Sequence, residues 1–434
     1  MTRLGGQNSA NGPGYAARQG KKLGPPMRID PTNHPWMVAP ETRRLLAALG
    51  EGRFVGGAVR NALLGIPVTD IDVGVPMPPD ETVKLLEKAE IKFIATGREH
   101  GTVTAILGGQ PFEITSLRRD IETDGRHAIV AFTDDWKEDS NRRDFTMNAL
   151  YATPEGEVFD YHGGVQDLVA GRVRFVGDPA MRIREDYLRI LRLFRFHAWF
   201  GKGEMDAEAL RAAAGAKAGL AQLSGERIAK ELLRLLECPN PVPALRMMAA
   251  SGILSELLPY ALNLSRLEQL VGIETEEQFR PDALLRLAAL LPDEVEAARS
   301  VAERLRLSNA ERVRLEALAV PGDKIPAQLS AAEVRRLLYR VGVPRFCDLV
   351  LLTWAGAPRG SAAIHWRMLL SIADGWERPR FPLTGHEAMA AGVAEGPEVG
   401  RVLGLVEAWW LEHDFAPDKA QLIEKLKSLI GTVS

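Results

Sequence analysis

The chain has 434 residues, 46% of them apolar, and no uninterrupted apolar run near the length of a membrane span, so it is expected to be a soluble protein of two to four domains. Its 54 Lys and Arg stand against 57 Asp and Glu, a net charge of −3, which excludes a uniformly basic coat and confines any polyanionic partner to a local patch. Two distant cysteines, Cys238 and Cys347, support neither a disulfide framework nor a zinc site and fit a reducing cytoplasm.

Residues 1–28 carry five basic residues and no acid, are rich in Gly, Pro, Asn and Ala, and lack an apolar centre. A disordered basic arm is expected. The alternative, an organelle transit peptide, is opposed by the Gly and Pro that break an amphipathic helix.

Residues 54–73, FVGGAVRNALLGIPVTDIDV, read as a strand end, a Gly-Gly turn, a helix from about Ala58 to Leu64 and a second strand over 68–73. Gly56 and Gly57 let the backbone approach a ligand closely. The helix N-terminus beside them, with Arg60, suits a phosphate. Alternation on the second strand sends Asp70 and Asp72 to one face, where two like charges call for solvation or a bridging cation, Mg²⁺ with a triphosphate being the natural one. Either feature alone is equally a turn or a solvated strand edge. Together, around one short helix, they are far more specific.

A helix over 79–89 and strands over 92–96, 102–107 and 112–116 complete an α+β head. His100 reads as an ordinary loop residue, and Glu113 as either a third carboxylate beside the Asp pair or a solvated strand residue. The polar, charged stretch 118–133 reads as a mobile loop. At 141–150, Arg142, Arg143 and Asp144 open what the pattern predicts to be an apolar helix; Asp144 suits a cap, but two arginines at that pole are unfavourable unless an anion sits there.

Over 182–197 a single helix is predicted, with Tyr187, Ile190, Leu191, Leu193 and Phe194 on one face and Arg189, Arg192 and Arg195 along the other. That stripe is either a solvated basic face or a reader, and Asp186, three residues before Arg189, favours a reader. Aspartate accepts from the exocyclic amine of cytosine or adenine while arginine donates to the ring nitrogen beside it; uracil and guanine present a carbonyl where the amine should be. Arg192 and Arg195 would then face the phosphates. From residue 242 the chain is helical almost throughout. Its arginines, among them Arg304, Arg306, Arg312, Arg314, Arg335, Arg336 and Arg340, alternate with Glu303, Glu311, Glu316 and Glu333 and read mostly as solvated faces.

Gly56-Gly57 followed by Asp70-x-Asp72 resembles the signature of the nucleotidyltransferase superfamily that includes DNA polymerase beta, in the bacterial form shared by CCA-adding tRNA nucleotidyltransferases and poly(A) polymerases. The resemblance continues through Asp124-Gly125-Arg126-His127-Ala128 in the loop, Arg142-Arg143-Asp144, the 159–168 segment with Asp167, Glu185-Asp186-x-x-Arg189 followed by Arg192 and Arg195, and Glu226-Arg227-Ile228-x-x-Glu231. It is strong over 54–236 and weak beyond. One departure is Asn61, where the family often carries Asp; it brings no charge and is not counted as a metal ligand.

The resemblance implies an α+β nucleotidyltransferase head at 29–171, a helical neck at 172–260 for base recognition, and a helical body and tail at 261–434 that grips tRNA. It implies template-independent addition of C, C and A to the tRNA 3′ end from CTP and ATP with release of pyrophosphate. Asp70 and Asp72 would be catalytic and hold Mg²⁺, Gly56, Gly57, Arg60, Arg143, Asp186, Arg189, Arg192 and Arg195 would bind the nucleotide, and Glu226 and Arg227 would be structural support. The alternative is a poly(A) polymerase. An inactive RNA-binding protein on the same fold is opposed by the intact aspartates and arginine stripe. Some relatives carry a His-Asp phosphohydrolase domain; His413-Asp414 is the one such dipeptide here, so none is expected, nor is a membrane or a stable protein partner.

Overall fold

The structure is a computed structural model that describes residues 28–95, 97, 101–124, 127–358 and 362–430. The expectations for the arm, for His100 and for Gly125-Arg126 fall outside those residues. Two compact units divide the chain, one running up to Pro259 and the other from Tyr260 onward.

The first unit is built on strands β1 (Arg53–Val55), β2 (Asp72–Val75), β3 (Lys92–Ile94), β4 (Thr102–Leu107), β5 (Gln110–Ser116), β8 (Leu150–Ala152) and β9 (Val158–Asp160), in the sheet order β3-β4-β5-β2-β1-β8-β9. β2 and β5 run parallel and the other neighbours antiparallel. Alternation does the sorting: in β4 Val103, Ala105 and Leu107 are buried and their neighbours are not, and β5 buries Phe112 and Ile114 in the same way. Phe54 and Val73, paired across β1 and β2, are fully buried, which fixes the register of the two strands that frame the Gly-Gly turn.

The predicted helix at 58–64 is present as Gly57–Leu64, ended by Gly65 in the left-handed conformation. Gly56 caps its start at φ 57, ψ −111, a backbone that a residue with a Cβ rarely adopts. The second strand begins later than expected, at Asp72, so Asp70 lies two residues before it.

Three expectations are corrected. The 118–133 stretch is a two-stranded hairpin, β6 (Arg118–Asp124) against β7 (His127–Phe132), with a register shift between Asp120 and Glu122. Asp144 opens no apolar helix: a single 3₁₀ turn, Thr146–Asn148, leads directly into β8. The helix expected over 182–197 is two, Pro179–Glu185 and Leu188–Phe200. Asp186 breaks it, extended at φ −156, ψ 107, while its carboxylate accepts from the Leu188 backbone N–H at 3.1 Å, a local bond that competes with helix.

The second unit is helical from Leu264–Glu276 to Lys419–Ile430. One of its cores gathers Leu383, Val402, Val406, Trp410, Leu422 and Leu426. Glu311 and Glu333, read from sequence as face charges, close capping boxes with Ser308 and Ser330. Arg314 pairs with Asp282 and Asp348, and Arg335 with Asp414. No described helix is long and apolar enough to cross a membrane.

Candidate active site

The Gly56 turn sits where β1 ends and the Gly57–Leu64 helix begins, and two guanidinium groups flank it. A Cβ placed on Gly56 would lie 3.4 Å from Nη1 of Arg143 and 3.3 Å from the Asn148 carbonyl oxygen; one on Gly57 would lie 3.7 Å from Nη2 of Arg60. A side chain at Gly56 would therefore occupy the space that Arg143 faces.

Arg60 makes no ion pair among the described residues. Its Nη1 donates to Asn148 Oδ1 at 2.6 Å, and its Nε and Nη2 donate to Asn61 Oδ1 at 3.1 and 2.9 Å. Phe200 and Phe196 lie under the guanidinium at 4.3 and 5.3 Å. Burial, with Arg195 and Arg192 nearby, lowers its pKa to about 10 against the pull of Asp144, which still leaves it charged at neutral pH. Two neutral amides thus orient a cation without cancelling it. Asn61, the departure from the family pattern, is one of them.

Arg143 is held along one edge. Its Nε donates to Asp139 Oδ2 at 3.2 Å and to the Tyr151 hydroxyl at 3.1 Å, and its Nη2 donates to Asp139 Oδ2 at 3.1 Å. Asp139 and Tyr151 raise its pKa beyond what burial takes away.

The carboxylates gather across the β2–β5 pair. Asp72 and Glu113 are register partners on parallel strands, and Asp70 is exposed beside buried Ile71. Burial, then Glu113 and Asp70, push the Asp72 pKa up to about 6, while Arg143 pulls it down. These are acids short of positive charge, the condition that a cation relieves. Among the described residues no three His, Cys, Asp or Glu side chains form a ready metal cage. Asp70 and Asp72 offer two hard oxygen donors, and Mg²⁺ customarily completes such a set with phosphate and water.

The neck arginines are not a solvated face, because carboxylates from distant segments meet them. Arg192 donates from Nε to Asp144 at 2.8 Å and also reaches Glu231; Arg195 pairs with Glu231 at 2.5 Å. Asp144 in turn accepts from Asn148 Nδ2 at 3.1 Å, so a polar chain runs from Arg60 through Asn148 and Asp144 to Arg192 and Glu231. Arg192 and the other bonds to Asp144 outweigh burial and hold its pKa down at about 2. Asp186 and Arg189 do not pair side chain to side chain. Asp186 accepts from Arg227 at 2.7 Å, while Arg189 is bound to Glu185 and donates to the Arg182 carbonyl at 2.6 Å. Sequence reasoning assigned no role to Asp139, Tyr151, Asn148 or Glu231. Glu231 ends the Glu-Arg-Ile-x-x-Glu motif and was legible there, and Asp139 stands at helical spacing before Arg142 and Arg143; Tyr151 and Asn148 carry no signal of their own.

An α+β head with paired carboxylates on one strand end, followed by helices, defines a nucleotidyltransferase architecture. Residues 52–174 match the family model described as the poly A polymerase head domain, and residues 204–264 match a probable RNA and SrmB-binding site of polymerase A. The mouse (Mus musculus) CCA tRNA nucleotidyltransferase 1, mitochondrial, is 33% identical over 87% of this chain and 86% of its own length, and a CCA-adding enzyme of Bacillus pumilus is 39% identical over 47% of this chain and 50% of its own. The crystal structure of Bacillus stearothermophilus CCA-adding enzyme in complex with CTP shares the fold, with a TM-score of 0.72 at 24% identity over 91% of this chain and 98% of that one. The chain belongs to the family of CCA-adding tRNA nucleotidyltransferases and bacterial poly(A) polymerases.

Proposed function

We infer that this chain is an enzyme that adds C, C and A to the 3′ end of tRNA from CTP and ATP, releasing pyrophosphate. The observation that carries this is its 33% identity, along 87% of its length, with an enzyme named for that activity. The site fits it. The proposed roles place the triphosphate at the Gly56-Gly57 turn, against the charge of Arg60 and the free edge of Arg143, with the helix N-terminus adding its dipole. Asp70 and Asp72 would hold Mg²⁺, with Glu113 beside them; the metal's contribution when bound is to lower the pKa of the attacking hydroxyl and stabilise charge on the transferring phosphate.

Asp186 and Arg189 are the proposed readers of the base. Each is now bound to another residue, Arg227 and Glu185, so base reading requires an exchange of partners. Arg192 and Arg195 reach the nucleotide's phosphates only if they give up part of their hold on Asp144 and Glu231. The head is proposed to span 29–171, the neck 172–260, and the tRNA-gripping body and tail 261–434. A cytoplasmic location is proposed from the two free thiols. Incubating the full chain with tRNA lacking its CCA end, with CTP and ATP singly and together, tests the function: C addition from CTP and a complete CCA end from both are expected, whereas a run of A from ATP alone would identify a poly(A) polymerase.

A further inference from the structure

Asp139 belongs to none of the roles above, yet its carboxylate is 1% exposed and binds on both oxygens. Oδ1 accepts from the Arg118 backbone N–H at 3.2 Å and from Arg142 Nε at 2.9 Å; Oδ2 accepts from the Tyr151 hydroxyl at 2.7 Å and from Arg143 Nε and Nη2 at 3.2 and 3.1 Å. The sequence places it well. Asp135 caps the Trp136–Asn141 helix, and Asp139 on that helix falls three and four residues before Arg142 and Arg143.

Two consequences follow from this geometry. The Arg143 guanidinium is pinned by Nε and Nη2, so Nη1 is the edge left toward Gly56, and a ligand meets an arginine that has already lost its rotamer freedom. Because one carboxylate serves two guanidinium groups, Arg142 and Arg143 together keep a net positive charge for an anion. The bond to the Arg118 N–H adds a third link, since Arg118 is the first residue of β6.

We propose that Asp139 is a positioning residue for triphosphate binding: it aims Arg143 at the Gly56 turn and fastens that arginine to the base of the β6–β7 hairpin. The proposal rests on the reading of Arg143 as a triphosphate contact. Tyr151, which donates to Asp139 and accepts from Arg143, is the second member of the clamp.

The test measures KM for CTP and for ATP, and the inhibition constant of pyrophosphate, in the full chain and in Arg143→Ala, Asp139→Asn, the double variant and Tyr151→Phe. Arg143→Ala and Asp139→Asn are each expected to raise all three constants by about tenfold, equally for both nucleotides, as loss of a charged hydrogen bond does. The double variant should be no worse than Arg143→Ala alone, because Asp139 acts through that arginine. Tyr151→Phe keeps the carboxylate and should raise the constants about threefold; it decides the matter if Asp139→Asn does not fold. Unchanged constants in Asp139→Asn or, failing its folding, in Tyr151→Phe, beside a weakened Arg143→Ala, would reduce Asp139 to support of the fold. Multiplying effects in the double variant would overturn the route through Arg143. Unchanged constants in Arg143→Ala would overturn the triphosphate reading itself and the proposal with it.

Discussion

Asp72 feels its neighbours more than any spacing rule conveys. Its pKa stands at about 6 because it is partly withdrawn from water and because Glu113 and Asp70 face it. The sign is that of an acid raised in the folded state: as pH climbs from the ordinary value of about 4 through 6, the metal-free fold loses stability, since the unfolded chain gives up that proton sooner. A bound cation reverses this by favouring the carboxylate. Mg²⁺ should therefore raise the melting temperature of the full chain at pH 7.5 and much less at pH 5, and Asp72→Asn should erase the difference; an equal gain at both pH values would take the metal away from Asp72. Asp70→Ala and Asp72→Ala should each abolish nucleotide transfer with the fold intact, because Asp70 is exposed, Asp72 is only half-buried and neither belongs to the apolar core, and near-normal turnover in either would end the catalytic assignment. Asp186→Ala should relax selection against UTP and GTP by tens of fold or more, the worth of a mismatched buried acceptor, while affecting triphosphate binding less. Incorporation of all four nucleotides reads that out, and unchanged selectivity would leave Asp186 only its structural bonds to Arg227 and the Leu188 N–H. The residues themselves were legible, but their partners were not: Asp144 lies 48 residues before Arg192, and no local pattern announces that pairing.

Elements whose identity depends on local apolar periodicity were read closely, including the Gly57–Leu64 and Pro79–Lys88 helices and strands β4 and β5. Those decided by a single polar contact or by strands distant in the chain were not. The helix break at Asp186 comes from one carboxylate capping Leu188, and the run after Asp144 becomes a strand because β1 and β9 pair with it on either side. The 118–133 stretch looked like a loop for its charge, yet His127–Phe132 is a short apolar run with β-branched Ile129 and Val130, a strand composition, and it pairs with β6. The hairpin is rooted in the head: its base at Arg118 is tied to Asp139, and the Thr133 hydroxyl donates to Glu138 at 2.6 Å. The family resemblance implies that this stretch resets the base pocket from cytosine to the larger adenine, so deleting residues 122–126 should spare addition of the two cytidines and selectively suppress the terminal adenosine. Equal slowing of C and A in single-nucleotide assays would return this hairpin to the status of an ordinary connection.

A chain with 54 basic residues and 57 acidic ones has little long-range attraction for a polyanion, so its grip on tRNA must come from a few local contacts. The helical unit narrows them further. Arg312, Arg314, Arg335, Arg345, Arg367 and Arg401 are each ion-paired with a carboxylate, so several arginines that composition would assign to phosphate contact already have partners. Exposed pairs of this kind contribute little to stability and can be exchanged for a phosphate, but each exchange frees a carboxylate that repels the same RNA. The number of phosphates neutralised is accordingly expected to be small, fewer than about five, and the logarithm of tRNA affinity should fall with log salt at a slope of about −0.9 per contact. Raising KCl from 50 to 200 mM should then weaken tRNA binding by up to roughly 500-fold, where eight contacts would cost roughly 20,000-fold. A filter-binding series over that range gives the slope directly. A slope steeper than that of five contacts would mean that the ion pairs open wholesale on binding RNA, and that the carboxylates now holding those arginines act to limit affinity, not to build the fold.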